Sequence, residues 1–175
     1  MKTVTLPSCA GCSYFLYSLK PRMEVNGKAL NLGCRYCVFG KPRRFSTKAE
    51  RPRVPDWCPR RKIPCELRIY DFKSTRDRTL FSLFYGETKR GVSPQPHRYA
   101  VDFEGQTRLT PRDFWLRCNR VPVTELVGRE LPLFSVLEID DGLEPVCFFR
   151  TERRIVPVSY FNTEIARNNA VEDDV

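Results

Sequence analysis

Two Cys-x2-Cys pairs, Cys9/Cys12 and Cys34/Cys37, open this chain, and Cys58 and Cys65 follow, so six of its eight cysteines fall in the first 65 of 175 residues. Two thiolates three residues apart can bind one metal ion from a tight turn, and a second pair can complete a tetrahedron. The rest of this segment explains why a metal is wanted. Residues 1–62 show little regular periodicity and carry Pro7, Pro21, Pro42, Pro52, Pro55 and Pro59, with Gly11, Gly27, Gly33 and Gly40. Few large apolar side chains are available for a core, so a bound ion would have to supply the missing stability. Between the pairs lies Asn26-Gly27, a dipeptide that accepts the positive φ angles of a type I′ hairpin turn. Knuckle, short hairpin, knuckle is the plan of a zinc ribbon.

Charge divides the chain in the same place. Residues 1–65 hold 14 Lys and Arg against three acids, a net of +11, whereas residues 66–175 hold 16 against 18, a net of −2. We therefore expect two parts: a basic, Cys-rich, zinc-ribbon-like module over 1–65 and an α+β domain with a polar tail over 66–175. Ile63-Pro64 leads directly into a strand signal, so the joint is short and the parts are expected to pack together. No apolar run is long enough for a secretory signal or a bilayer span. A cytoplasmic location is expected, and there clustered thiols are metal ligands rather than disulfides.

Cys9-x2-Cys12, Cys37 followed by Gly40-Lys41, and Pro55-Asp56-Trp57-Cys58-Pro59 together resemble a group of small zinc-binding proteins found in phages and mobile elements of gut Firmicutes. The resemblance covers residues 1–64. It implies a metal site and a mobile-element origin, and it implies Cys9, Cys12, Cys37 and Cys58 as ligands. Spacing by itself favours Cys9, Cys12, Cys34 and Cys37. The first set is preferred because Trp57-Cys58-Pro59 is hard to explain otherwise. A six-thiolate, two-metal cluster that also uses Cys34 and Cys65, and an iron–sulfur cluster, are alternatives. One Zn2+ with four thiolates has no open position for water, so its role is structural.

In the second segment, Glu66–Phe72 alternates as a strand and Leu80–Tyr85 is a second strand candidate. A loop is expected over 89–98, followed by a hairpin whose arms are Tyr99–Phe103 and Gln106–Leu109, turning at Glu104-Gly105. Thr110-Pro111-Arg112-Asp113 is a helix start, with a threonine to cap and a proline at the first helical position. This helix should run to about Cys118, with Phe114 and Cys118 on one face, and a second short helix over Thr124–Leu131. Strands over Leu133–Ile139, Val146–Thr151 and Ile155–Phe161 complete a mainly antiparallel sheet, with Asp140-Asp141-Gly142 turning between the first two. The tail from Asn162 is expected to be a frayed helix or disordered.

Catalysis finds little support. His97 is the one histidine, set in a Pro-rich loop, and the chain has no glycine-rich phosphate loop or serine-nucleophile motif. Cys118 and Cys147 have Trp and Phe neighbours and belong in a core. The expected protein is not an enzyme. The stretch Arg35–Lys62 interleaves basic residues with Tyr36, Phe39, Phe45 and Trp57, a composition suited to phosphates and unpaired bases. Arg43, Arg44, Arg60 and Arg61 are the candidate nucleic-acid contacts. The same stretch is also consistent with a solvated loop whose aromatics pack on the knuckles. Two functions follow: a nucleic-acid-binding accessory protein of a phage or mobile element, or an inhibitor or adaptor that binds a host nucleoprotein enzyme, an anti-CRISPR protein for example.

Overall fold

The computed structural model describes residues 8–88 and 93–171. They form two compact units, one ending at Arg61 and the other beginning at Lys62. Cys65 therefore opens the first strand of the larger unit.

In the smaller unit, a 3-10 turn over Cys9–Gly11 precedes β1 (Phe15–Tyr17). A hairpin follows, β2 (Glu24–Val25) and β3 (Lys28–Ala29), with Val25 opposite Lys28. Its turn is the expected Asn26-Gly27, with φ of 48° and 73°. Next come β4 (Arg35–Cys37) and β5 (Arg43–Arg44), and the three-stranded sheet has the order β1-β4-β5. Its apolar interior is small: Cys9, Leu30, Tyr36, Pro42, Phe45 and Pro52 are the buried apolar side chains among the described residues. The Tyr36 hydroxyl accepts the Asn31 backbone N–H at 2.9 Å, so its polar end is satisfied.

The larger unit is α+β, built on a five-stranded antiparallel sheet. Its first elements are β6 (Cys65–Phe72), α1 (Thr75–Thr88) and β7 (Tyr99–Thr107). Then come α2 (Pro111–Arg117), α3 (Val123–Val127), β8 (Val136–Asp140), β9 (Val146–Arg150), β10 (Ile155–Val158) and α4 (Thr163–Arg167). The strand order is β10-β9-β8-β6-β7. Both faces of the sheet are apolar. Leu67, Ile69, Leu137, Ile139, Phe148 and Ile155 project to one side, where Phe114 and Cys118 of the α2 region and Leu126 of α3 cover them. Tyr70, Phe72, Val136, Cys147 and Phe149 project to the other, covered by Phe81 of α1 and Ala166 of α4. Alternation along each strand sends neighbours to opposite cores. Between Ile69 and Tyr70 the register with β7 slips by one residue. That bulge lets Phe103 join the first core while Val101 and Tyr99 join the second.

Several expectations need correction. Leu80–Tyr85 is helix, not strand. Ser74 Oγ accepts the Asp77 backbone N–H at 3.1 Å, an N-cap that starts α1. Phe81 and Tyr85, four residues apart on one helical face, both meet Phe134. The hairpin expected at Glu104-Gly105 is instead one continuous nine-residue strand paired along β6. Gly105 makes room rather than a turn: a Cβ there would lie 2.8 Å from the Phe103 ring, which folds across it. The second short helix is cut to Val123–Val127 by Gly128 in the left-handed conformation, φ 76°. Of the loop expected over 89–98, residues 89–92 lie outside the described residues, and Pro96–Arg98 form a 3-10 turn. The tail from Asn162 begins as an ordered helix. Asn162 caps α4 through the backbone N–H groups of Glu164 and Ile165, and Ala166 is buried. Its acidic end, 172–174, lies outside the described residues.

The helix start at Thr110 is as read from the sequence. Thr110 Oγ1 accepts the Asp113 N–H at 3.2 Å, and Pro111 occupies the first helical position. Thr110→Ala is expected to lower the stability of the larger unit by about 1 kcal/mol. Urea unfolding followed by circular dichroism would measure it, and a change below about 0.3 kcal/mol would mean that the cap is not stabilising.

Candidate metal centre and basic surface

The first thiol pair sits in the geometry that a ligand pair needs. The 3-10 turn closes with Cys12 N–H donating to Cys9 C=O at 3.0 Å, and Phe15 N–H donates to Cys12 C=O at 2.9 Å. The second pair does not. Cys34 and Cys37 are separated by β4, an extended segment. In a strand, residues three apart stand about 10 Å from each other and point to opposite faces. Cys37, at the far end of β4, pairs with Phe15 on β1 and so lies near the first knuckle. Cys34 lies at the other end, its carbonyl accepting from Ser18 N–H.

Cys58 comes to the knuckle by a different route. The chain returns along Arg53, which bridges to Ser8, and Pro52 C=O accepts Cys9 N–H at 3.0 Å. A turn then closes with Cys58 N–H donating to Pro55 C=O at 3.1 Å. Cys9, Cys12, Cys37 and Cys58 thus line one cavity of about 20 Å³, walled by Phe15, Phe45 and Trp57. This is room for roughly one water-sized sphere. Cys34 is not in that wall, and Cys65 is a fully buried member of the larger unit's core. Burial pushes the Cys9 thiol up to about 11, and the proximity of Cys58, Cys12 and Cys37 adds to the rise. Among the described residues no three Cys, His, Asp or Glu side chains are closed round a common point. The case for a metal rests on the shared cavity, the coupling of Cys9 to the other three thiols, and sulfur-donor chemistry. Four sulfur donors and no carboxylate or imidazole suit Zn2+. Burial favours the protonated form of Cys9, so a metal bound there would have to displace its proton, and binding would weaken as pH falls.

The four candidate nucleic-acid contacts are not alike. Arg43 and Arg44, on β5, and Arg60 are exposed. The Arg43 guanidinium lies 5.2 Å from the centroid of the Trp57 ring, and Arg60 Nη1 is 3.7 Å from Cys12 Sγ. Arg61 is withdrawn: its side chain is only 7% exposed, pairs with Asp56 at 3.0 Å and donates to Val54 C=O at 3.3 Å. Its sequence neighbourhood is basic, but its work is to hold the Cys58 turn. The interleaved aromatics divide similarly. Tyr36 and Phe45 are buried, while Phe39 and Trp57 are 44% and 39% exposed. Both bland and functional readings of this stretch therefore have residues of their own.

His97 is exposed in the 3-10 turn before β7. Cys118 and Cys147 are buried, and burial pushes their thiols up to about 11 and about 12. Among the described residues no helix is long and apolar enough to cross a membrane. No protein-family model, curated protein or solved structure matches this chain.

Proposed function

We propose that this chain is a zinc-stabilised, non-enzymatic accessory protein that binds nucleic acid through its Cys-rich unit. The observation that carries this is the exposed surface beside the four-thiol cavity. Arg43 beside Trp57, Arg60 beside Cys12, and Arg44 at the next position of β5 have no carboxylate partner among the described residues, and two exposed aromatic rings, Phe39 and Trp57, line the cavity. Guanidinium groups without a carboxylate partner neutralise phosphates, and part-exposed rings accept unpaired bases once Arg43 turns from Trp57 to a phosphate, so single-stranded nucleic acid is the favoured class. Arg61 belongs to the scaffold. A phage or mobile-element setting is supported by the resemblance of residues 1–64, and a cytoplasmic location goes with reduced thiols. A non-enzymatic role is supported by the exposed lone histidine and by two remote thiols whose burial keeps them protonated and unreactive.

Fluorescence anisotropy with single-stranded DNA and RNA across a salt series tests the reading. Affinity should fall steeply with salt, by a slope of about 0.7 per phosphate contact. Arg43→Glu with Arg44→Glu should weaken binding to both polymers. Absence of binding to free nucleic acid, with retention of one nucleoprotein enzyme by the immobilised chain, would replace this reading with the inhibitor or adaptor.

A further inference from the structure

The larger unit is close to neutral as a whole, yet it concentrates arginines in one open cavity of about 570 Å³. Arg120, Arg150, Arg153 and Arg154 line it, against Glu130 and Glu152. Elsewhere in this unit Arg68, Arg78, Arg98, Arg129 and Arg167 each pair with a carboxylate. Among the described residues none of the four cavity arginines does. Arg76, Arg108, Arg112 and Arg117 also lack a carboxylate among the described residues, but they are not in this wall; here four guanidinium groups meet two carboxylates at one concavity, an excess of positive charge that an anion from outside can balance.

The walls are fixed before any ligand arrives. One wall is the connection between α2 and α3, and the other is the turn between β9 and β10. Asn119 ties them together: its Nδ2 donates to Ile155 C=O at 3.0 Å and its Oδ1 accepts Ile155 N–H at 2.9 Å. The turn itself is braced by Thr151, whose hydroxyl donates to Arg154 C=O at 2.6 Å and accepts Arg154 N–H at 3.1 Å. Arg150 is held at the cavity by donating to Leu131 C=O. Fixed walls reduce the ordering cost of binding.

We infer that this cavity is a phosphate-binding site that takes an oligophosphate or a run of phosphodiesters. Guanidinium forks match phosphate oxygens in pairs. The volume exceeds what one carboxylate or one simple ion fills, and falls in the range of pockets that hold whole small molecules. No Phe, Tyr or Trp is in its wall. Recognition is therefore of charge and spacing, without base stacking. The site stands independently of the Cys-rich unit's surface.

Calorimetric titration of the full chain with inorganic tripolyphosphate, beside anisotropy with a single-stranded 16-mer, tests it. Arg153→Glu with Arg154→Glu changes exposed side chains at a turn whose bracing is through backbone and Thr151, and an unchanged thermal midpoint would verify folding. Saturable tripolyphosphate binding that this variant weakens by about tenfold or more, corresponding to loss of two charge-assisted contacts, supports the site. A parallel loss for the 16-mer makes the natural source a nucleic-acid backbone, and an unaffected 16-mer makes it a small phosphorylated molecule. Arg43→Glu with Arg44→Glu should leave tripolyphosphate binding unchanged. The inference is overturned if tripolyphosphate does not saturate, or if Arg153→Glu with Arg154→Glu binds it like the wild type. A 16-mer affinity lost only in the Arg43/Arg44 variant would then leave the Cys-rich surface standing alone.

Discussion

Stripping metal with a strong chelator is expected to unfold residues 8–61 while the larger unit stays folded. Among its described residues the smaller unit buries only Cys9, Leu30, Tyr36, Pro42, Phe45 and Pro52 as apolar side chains, and leaves Tyr17, Leu19, Leu32 and Phe39 exposed. Its strands are two or three residues long. Such an interior cannot offset the ordering of more than fifty residues, since each fixed residue costs about 1–2 kcal/mol. A four-thiolate zinc ion supplies on the order of 10 kcal/mol or more at neutral pH. Elemental analysis should give one zinc per chain. Amide resonances of the smaller unit should collapse with chelator while those of the five-stranded sheet persist. Cys58→Ser should behave like chelation, and Cys34→Ser should cost little. A zinc content near zero with unchanged spectra in chelator would end the metal proposal. Two ions per chain would restore the six-thiolate arrangement. Collapse in Cys34→Ser but not Cys58→Ser would return the ligand set to the paired spacing.

That comparison shows where a sequence speaks and where it does not. Cys-x2-Cys describes a distance along the chain. Whether it becomes a ligand pair depends on the backbone between the thiols. Cys9-Ala10-Gly11-Cys12 folds as a 3-10 turn, and Cys34-Arg35-Tyr36-Cys37 contains a strand with buried Tyr36 at its centre. The apolar Tyr36 between two cysteines was the available sign of a strand. Arg61 was illegible for a related reason. Its charge is visible in the sequence, but its partner Asp56 across the turn is a matter of geometry.

In the larger unit the caps and turns that rest on one residue's chemistry were readable: Thr110 with Pro111, and Asp140-Asp141-Gly142, where Gly142 has φ 81° and donates to Asp140 Oδ1. Of the strands, β6 followed from alternation, and those from β8 onward from short apolar runs between turn signals, since both of their faces are buried. What failed was competition between periods. Leu80–Tyr85 is apolar enough for either element, and only the Ser74 cap distinguishes them. A Glu-Gly pair reads as a turn until an aromatic neighbour, Phe103, is seen to need the empty space. The arginine cavity was hidden by averaging, because net charge over a hundred residues says nothing of four arginines drawn from two separate segments.

Glu138→Ala is expected to destabilise the larger unit by about 1–3 kcal/mol, the cost of leaving the buried groups that bond it unsatisfied. Glu138 lies in the central strand β8 and is fully buried. Its carboxylate accepts from the Tyr70 hydroxyl and from Arg167 of α4, and Arg68 Nη1 approaches it at 3.5 Å. Arg68 in turn bonds Glu104 at 2.8 Å and Glu66 at 2.6 Å. Burial opposes the charge on Arg68, but these hydrogen bonds and the field of Glu138 outweigh it and hold the guanidinium above its ordinary pKa. The network therefore joins three sheet strands, β6, β7 and β8, to α4. Removing its acceptor deprives Arg167 and the Tyr70 hydroxyl of their shared carboxylate, while Arg68 keeps Glu104 and Glu66. Glu138→Gln keeps the shape and loses the charge, so it should cost less than Ala. In a double-mutant cycle, Arg167→Ala should be less damaging once Glu138 is gone, with coupling of about 0.5–3 kcal/mol. Urea unfolding of the five proteins, wild type included, measures all of this. A loss below about 1 kcal/mol for Glu138→Ala, or strict additivity with Arg167→Ala, would mean that α4 is held by the packing of Ala166 and Phe161 rather than by this ion-pair network.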